Sequence, residues 1–416
     1  MHNFQISESP TQKTIEGILL DIERDVSKNL PESPGLLNGT SGVLLLYINL
    51  YHLSKNHSFL EKSLDMMELS VDKLNTFIKK SSDPYIDSLG HGITGIGWIL
   101  EKLNKIEPVD TCLLNDFEEV IHNTVKNDKL RGSYDLFYGV LGKGVYFLER
   151  DPDGASEQGL KQVVDTLWYM YEKHGWQDKF NKKDCPSDTV YNLGLAHGIA
   201  GITSFLSKLS VRNIYSDRVD PLLQHSLDWL LRYRNDQLGI CRYPSVIVNG
   251  DISSYGDLSW CYGDLGVAIA YLQAYKATHQ EVLKEEAIKI ASLASKRMLE
   301  QSTVRMTDDS RLIDPCFCHG SAGIAHLFKR IAQATHYHEF ERCSHYWIEQ
   351  TLTVGRSYSD DTIGGFLEAD TDDSKKTVWK KNSGLLTGAS GVALCLMSSL
   401  PNFNSNWDSL FFTDIN

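Results

Sequence analysis

Residues 319–331 read HGSAGIAHLFKRI, and six other stretches share this form. They are NGTSGVLLLYINL (38–50), HGITGIGWILEKL (91–103), YGVLGKGVYFLER (138–150), HGIAGITSFLSKL (197–209), YGDLGVAIAYLQA (262–274) and TGASGVALCLMSS (387–399). Each is a G-x-x-G followed by an apolar run. The first glycines are Gly39, Gly92, Gly139, Gly198, Gly263, Gly320 and Gly388, spaced 47 to 68 residues apart. One G-x-x-G is a weak signal. Seven at this spacing, each opening an apolar helix, specify an internal repeat.

Most copies follow a second helical pattern, at 59–80, 112–127, 157–174, 219–234 and 280–299. There apolar residues recur at three- and four-residue steps with charges between them, as on an amphipathic surface helix. The run after each G-x-x-G is apolar nearly all round, as a buried helix requires. Each repeat therefore reads as outer helix, glycine turn, inner helix. One such unit cannot bury its own faces, but seven can by closing into a ring. The predicted fold is all-α: an α/α toroid of seven inner and seven outer helices, with residues 1–416 as a single domain. Glycine suits the turns because it accepts φ > 0 and close backbone approach. Segments 236–258 and 356–384 read as long loops or insertions, the first with strand-like runs.

If all inner helices run the same way, the seven turns gather at one end. The residues before the first glycines then line one cavity: Asn38, His91, Tyr138, His197, Tyr262, His319 and Thr387.

The net charge of -13 argues against nucleic acid or an anionic membrane as partner, since both reward Lys/Arg patches. No stretch reaches eighteen uninterrupted apolar residues, so no integral membrane segment is expected, and no signal peptide is visible. Eight scattered cysteines in 416 residues do not form a secreted disulfide framework. These features predict a cytoplasmic protein with reduced thiols, where clustered Cys and His suggest metal.

Such a cluster exists. The fifth and sixth turns read 259-SWCYGDLG-266 and 316-CFCHGSAG-323, with Cys261 and Cys318 both two before the first glycine. Adjacent repeats place equivalent positions side by side, so Cys261, Cys318 and His319 converge in this reading. Two thiolates and one imidazole make a three-ligand Zn²⁺ set with a fourth position open, the pattern of a catalytic zinc. Buried Cys alone is commonly a small hydrophobe; the matched register favours ligands here. Cys316 lacks a counterpart in the fifth repeat and reads as structural. Cys112, Cys185, Cys241, Cys343 and Cys395 read as core or surface residues without chemistry. His197 is a candidate proton carrier, with Asp135 in 134-YDLFYGVLG-142 as the carboxylate that orients it. The alternative reading is that His197 caps a helix or satisfies a buried turn. Tyr262 serves either a hydrogen bond in the cavity or packing, and His91 reads as structural.

With 260-WCYG-263, 318-CHG-320 and 194-GLAHGIAG-201 set on seven repeats, the sequence resembles the lanthionine synthetase C-like family over nearly its whole length. In particular it is similar to the bacterial cyclases of lanthipeptide biosynthesis. The resemblance implies an α/α toroid and one Zn²⁺ on Cys261, Cys318 and His319. It carries His197, Asp135 and Tyr262 over as active-site positions. It implies addition of peptide Cys thiolates to dehydroalanine or dehydrobutyrine, giving lanthionine or methyllanthionine thioethers. The partners implied are a dehydrated precursor peptide, a lanthipeptide dehydratase and an exporter, with the protein peripheral to a membrane-associated synthetase complex. Bacterial cyclases typically read WCYG, as here, and eukaryotic glutathione-binding relatives WCHG. The family's usual Arg four before the first zinc cysteine is Asp257 here; Arg242 is a candidate to replace it. Two other readings share these features: thiol addition of the glutathione type, and a non-catalytic peptide-binding scaffold. A six-repeat α/α glycosidase fails the repeat count and lacks paired carboxylates in the register.

Overall fold

The computed structural model describes residues 10–80, 83–150, 156–177, 189–357, 359 and 361–415. Among these, fourteen α-helices alternate between two layers. The inner layer is α2 (Thr40–Ser54), α4 (Ile93–Asn104), α6 (Val140–Arg150), α8 (Ile199–Val211), α10 (Asp264–Thr278), α12 (Ser321–Thr335) and α14 (Ala389–Ser399). The outer layer is α1 (Pro10–Val26), α3 (His57–Lys80), α5 (Thr111–Arg131), α7 (Glu157–His174), α9 (Ser216–Arg232), α11 (Glu281–Ala294) and α13 (His338–Thr353). Each inner helix packs on the next, and α14 returns to α2, so the ring closes. The fold is the α/α toroid expected from the repeats.

The layers follow from side-chain pattern. In α9 the buried residues are Val219, Leu222, Leu223, Ser226, Leu227 and Leu230, a single stripe at three- and four-residue steps. In α2 every residue from Thr40 to Leu50 is buried. Packing refines the repeat unit. Each outer helix packs chiefly on the inner helix before it, and α1 packs on α14. Two-residue links join α2 to α3, α10 to α11 and α12 to α13. Their first residues Lys55, His279 and His336 take left-handed φ of 55°, 57° and 62°.

The glycines act through close approach. A Cβ on each first glycine would meet the carbonyl oxygen of the residue six before it, at 1.8 Å for Gly92 and 2.6 Å for Gly320. Six of the seven second glycines repeat this, at 1.8 Å for Gly323 and 2.0 Å for Gly391, whereas the carbonyl stands 3.2 Å away at Gly266. The chain folds back under its own helix start, where amides lack intrahelical partners. Ile93 N thus donates to Ile86 O at 2.8 Å and Ser321 N to Asp314 O at 3.0 Å. The expectation of φ > 0 holds only at Gly263, with φ of 96°; the other first glycines do not have positive φ. What excludes a side chain there is the carbonyl, not the backbone conformation.

Backbone hydrogen bonds link the turns around the ring. Leu36 N reaches Gly90 O, Gly90 N reaches Phe137 O, Leu136 N reaches Ala196 O, Trp260 N reaches Cys318 O, and Cys318 N reaches Leu386 O. Leu385 N on Leu37 O at 2.7 Å joins the seventh repeat to the first. Two small antiparallel pairs decorate the same turns. β1 (Val190–Asn192) pairs with β2 (Val246–Val248), inside segment 236–258, and β3 (Glu368–Thr371) pairs with β4 (Thr377–Lys380).

The C-terminal segment fills the ring from the other end. Its side chains and carbonyls bond Asn49, Lys102, Lys208, Gln273, Arg330 and Ser398, on six inner helices. A 3-10 turn at Trp407–Phe411 carries Phe411 to the rings of Phe137, Trp260 and Phe317. These aromatics lie directly behind the turn residues that face the cavity.

Candidate metal centre

All seven register positions are at least partly exposed, and every residue flanking them except Leu386 is buried: Asn38, His91, Tyr138, His197, Tyr262, His319 and Thr387. Three neighbouring pairs of them also touch. Thr387 Oγ1 donates to Asn38 Oδ1 at 3.2 Å, the Tyr138 hydroxyl lies 3.4 Å from His91 Nε2, and the rings of His197 and Tyr262 are 5.3 Å apart. The seven turns therefore line one common rim.

The backbone bonds between turns explain how cysteines 57 residues apart meet. Trp260 N donates to Cys318 O at 3.1 Å, and Cys261 Sγ lies 3.6 Å from the same carbonyl. The ligand atoms of Cys261, Cys318 and His319 all lie within 4.8 Å of one another. A hydrogen bond from Cys318 holds the Cys261 thiol well below its ordinary pKa against the effect of burial, and Cys318 is raised as the donor. This donor set suits Zn²⁺, for which bonds of about 2.3 Å to sulfur and about 2.0 Å to nitrogen converge on a common point. Cys261, Cys318 and His319 would hold the ion.

His319 also borders a second group. Asp314, Cys316 and His319 place their ligand atoms within 4.8 Å as well. Asp314 and Cys316 are both 0% exposed, whereas Cys261 and Cys318 retain 4% and 8%. The two-cysteine set is the more accessible of the two. Burial pushes the Cys316 thiol up to about 11.

Asp135 and His197 lie beside this centre. Asp135 Oδ1 accepts from the amides of Phe137 and Tyr138, and Oδ2 meets His197 Nδ1 at 2.5 Å. His197 also helps to lower the Cys261 thiol. Tyr262 follows Cys261, and its backbone is tied to Ser259 Oγ on both sides, N to Oγ at 3.2 Å and Oγ to O at 2.6 Å.

Arg242 does not take the place suggested for it. Its Nη2 lies 3.0 Å from Glu286 and 2.8 Å from Asp236, so two carboxylates hold it toward α11. Asp257 is pushed up by burial and accepts from Ser245 Oγ at 3.1 Å. A buried guanidinium that the sequence reading missed stands nearby. Arg297, 3% exposed, donates to Gly256 O at 2.9 Å and acts electrostatically on Asp257. It follows α11, at the end of the 280–299 helical pattern and outside every G-x-x-G motif. Among the remaining cysteines, Cys112 is exposed, Cys241 and Cys395 are buried and Cys343 is half-buried. Cys185 lies outside the described residues.

The family description "Lanthionine synthetase C-like protein" matches residues 31–412. The chain belongs to the lanthionine synthetase C-like family. Among its relatives, the nisin biosynthesis protein NisC of Lactococcus lactis subsp. lactis is 22% identical over 362 residues, covering 80% of this chain and 82% of the relative. The glutathione S-transferase LANCL1 of Danio rerio is 23% identical over 337 residues, covering 77% and 75%. The solved structure of nisin cyclase superposes with a TM-score of 0.72 at 17% identity, covering 98% of both chains, which confirms the fold. No helix among the described residues is long and apolar enough to cross a membrane.

Proposed function

We propose that this protein is a zinc-dependent lanthipeptide cyclase, closing thioether rings in a dehydrated precursor peptide. The observation that carries the reading is the meeting of Cys261, Cys318 and His319 within 4.8 Å beside the His197–Asp135 pair. Zinc bound there would lower the pKa of an incoming peptide thiol and present it as a nucleophile. The sulfur forms a bond to the β-carbon of dehydroalanine or dehydrobutyrine, and the π electrons move to an enolate. The proton released by the thiol passes to solvent; His197 gives its own proton to the α-carbon, completing lanthionine or methyllanthionine, and is reprotonated from solvent. Asp135 fixes the ring of His197 and stabilises its charged form. Tyr262 lines the same wall and contacts the reacting peptide. A separate dehydratase supplies the dehydrated residues.

The test combines zinc analysis with a peptide assay. About one zinc per chain is expected, with loss of free peptide thiols at constant peptide mass. Cys261→Ala, Cys318→Ala and His319→Ala should each lose the metal and the activity. Addition of glutathione to the dehydrated peptide, seen as a mass increase, would instead favour the thiol-transfer reading. Metal-free protein that binds the peptide unchanged would leave a scaffold.

A further inference from the structure

We propose that Asp314 is a positioning residue of the metal centre, its second carboxylate oxygen fixing the ring of His319. The inference rests on the zinc-site reading above.

The argument begins with the repeat. The residue six before each first glycine is Ser33, Ile86, Ser133, Asn192, Asp257, Asp314 or Asn382. In four of the seven turns its side chain accepts from the amide two residues on. Gly35 N bonds Ser33 Oγ at 3.2 Å, Gly194 N bonds Asn192 Oδ1 at 2.9 Å, Cys316 N bonds Asp314 Oδ1 at 3.0 Å, and Gly384 N bonds Asn382 Oδ1 at 2.6 Å. This turn needs one acceptor and no charge, and Ser or Asn supplies it. A carboxylate stands at this position only in the fifth and sixth repeats, which are the two that contribute Cys261 and Cys318.

In the sixth repeat the additional oxygen has an address. Asp314 Oδ2 lies 3.1 Å from His319 Nε2. The pair is off the line of a well-formed hydrogen bond, and among the described residues neither atom has another partner. The Asp314 side chain is 0% exposed. A carboxylate buried this completely is costly unless a partner compensates it, and asparagine would serve the turn without that cost. The oxygen is therefore accounted for by His319. With Nε2 turned to Asp314, Nδ1 is the nitrogen left for a metal on the two sulfurs. A carboxylate behind a ligating imidazole fixes its tautomer and orientation, and its loss typically weakens metal affinity by about 10–100-fold.

The test is zinc affinity by chelator competition, with the cobalt(II) absorption spectrum as a second readout, in Asp314→Asn and Cys316→Ser. Asn keeps the turn acceptor, as Asn192 and Asn382 do, so Asp314→Asn should retain the wild-type melting temperature of the metal-free protein. It should bind zinc about 10–100-fold more weakly and show altered cobalt ligand-field bands with its thiolate charge transfer intact. Cys316→Ser should bind zinc as the wild type does. Wild-type affinity and spectrum in Asp314→Asn would overturn the proposal. Loss of metal in Cys316→Ser would place the ion on Asp314, Cys316 and His319 and would overturn it too. Failure of the underlying zinc reading shows separately, as a wild-type protein that binds neither metal.

Discussion

The carboxylate of Asp135 and the imidazole of His197 meet at 2.5 Å although 62 residues separate them in the chain. The contact crosses from the third turn to the fourth, where Leu136 N already bonds Ala196 O at 2.9 Å. Neighbouring backbone bonds thus set the position of both side chains. Asp135 uses one oxygen for its own turn and the other for His197, so the pair is rigid before substrate arrives.

Asp135→Asn separates these two tasks. Asn retains the oxygen that accepts from Phe137 and Tyr138, so the melting temperature should stay close to wild type. It cannot stabilise a charged His197. Cyclisation turnover should fall about 10²-fold or more, with one zinc per chain retained. Loss of zinc in this variant would contradict the proposed division between metal ligands and proton donor.

The cysteines should differ in reactivity once the metal is removed. Cys261 is held well below the ordinary thiol range by Cys318, whereas Cys316 is pushed up to about 11 and is fully buried. Alkylation of chelator-treated protein at pH 8, followed by peptide mapping, should label Cys261 first and leave Cys316 unmodified. Zinc should protect Cys261 and Cys318. Fast labelling of Cys316 under native conditions would show that this arrangement of the three thiols is wrong.

Glycine substitutions separate close approach from conformational freedom. A Cβ at Gly92 would sit 1.8 Å from the Ile86 carbonyl oxygen, a backbone atom that cannot rotate away. Gly92→Ala should cost about 3 kcal/mol or more, at the upper end of overpacking. Gly17, inside α1, has nothing within 4 Å of its Cβ position. Gly17→Ala should stabilise by up to about 1 kcal/mol through helix propensity alone. Denaturant unfolding of both variants reads the contrast.

These two glycines also show what the sequence made legible. Gly92 belongs to a repeated motif, and repetition exposed both the ring and the convergence of Cys261 with Cys318. The register of Asn38, His91 and their five counterparts followed directly from it. The physical reason for the glycines did not, because the opposing carbonyl belongs to a residue of any type: Ile86 in one repeat, Asp314 in another. Arg297 escaped for a related reason: it reads as one more charge at the end of the 280–299 amphipathic pattern, and only the three-dimensional course of the chain after α11 brings it to Gly256. Arg242 was equally unmarked, and Glu286 on an outer helix captured it. The C-terminal segment offered no repeat at all, and its role depends on where the bore of the ring lies.

That segment makes the last prediction. Asp408 is 0% exposed and bonds Arg330 through Nε at 2.7 Å and Nη2 at 2.6 Å, His326 Nε2 at 2.8 Å and Thr413 Oγ1 at 2.7 Å. Burial alone would raise its pKa, but Arg330 and His326 outweigh it and hold the carboxyl well below the usual range. A depressed folded-state pKa contributes stability above the unfolded carboxyl value of about 4, lost as the pH falls below it. Removing one partner of such a buried pair costs about 3–5 kcal/mol. Asp408→Asn should therefore lower stability by roughly that amount at neutral pH. Its stability should also decline less steeply than that of the wild type below pH about 4. Phe411 lies three residues on, against Trp260 and Phe317, each of which precedes a proposed zinc ligand. Loosening the segment should thus weaken zinc binding as well as stability. Urea unfolding across acidic pH, with zinc affinity measured on the same variant, tests both. Unchanged stability at neutral pH would show that the Asp408 cluster does not anchor the segment.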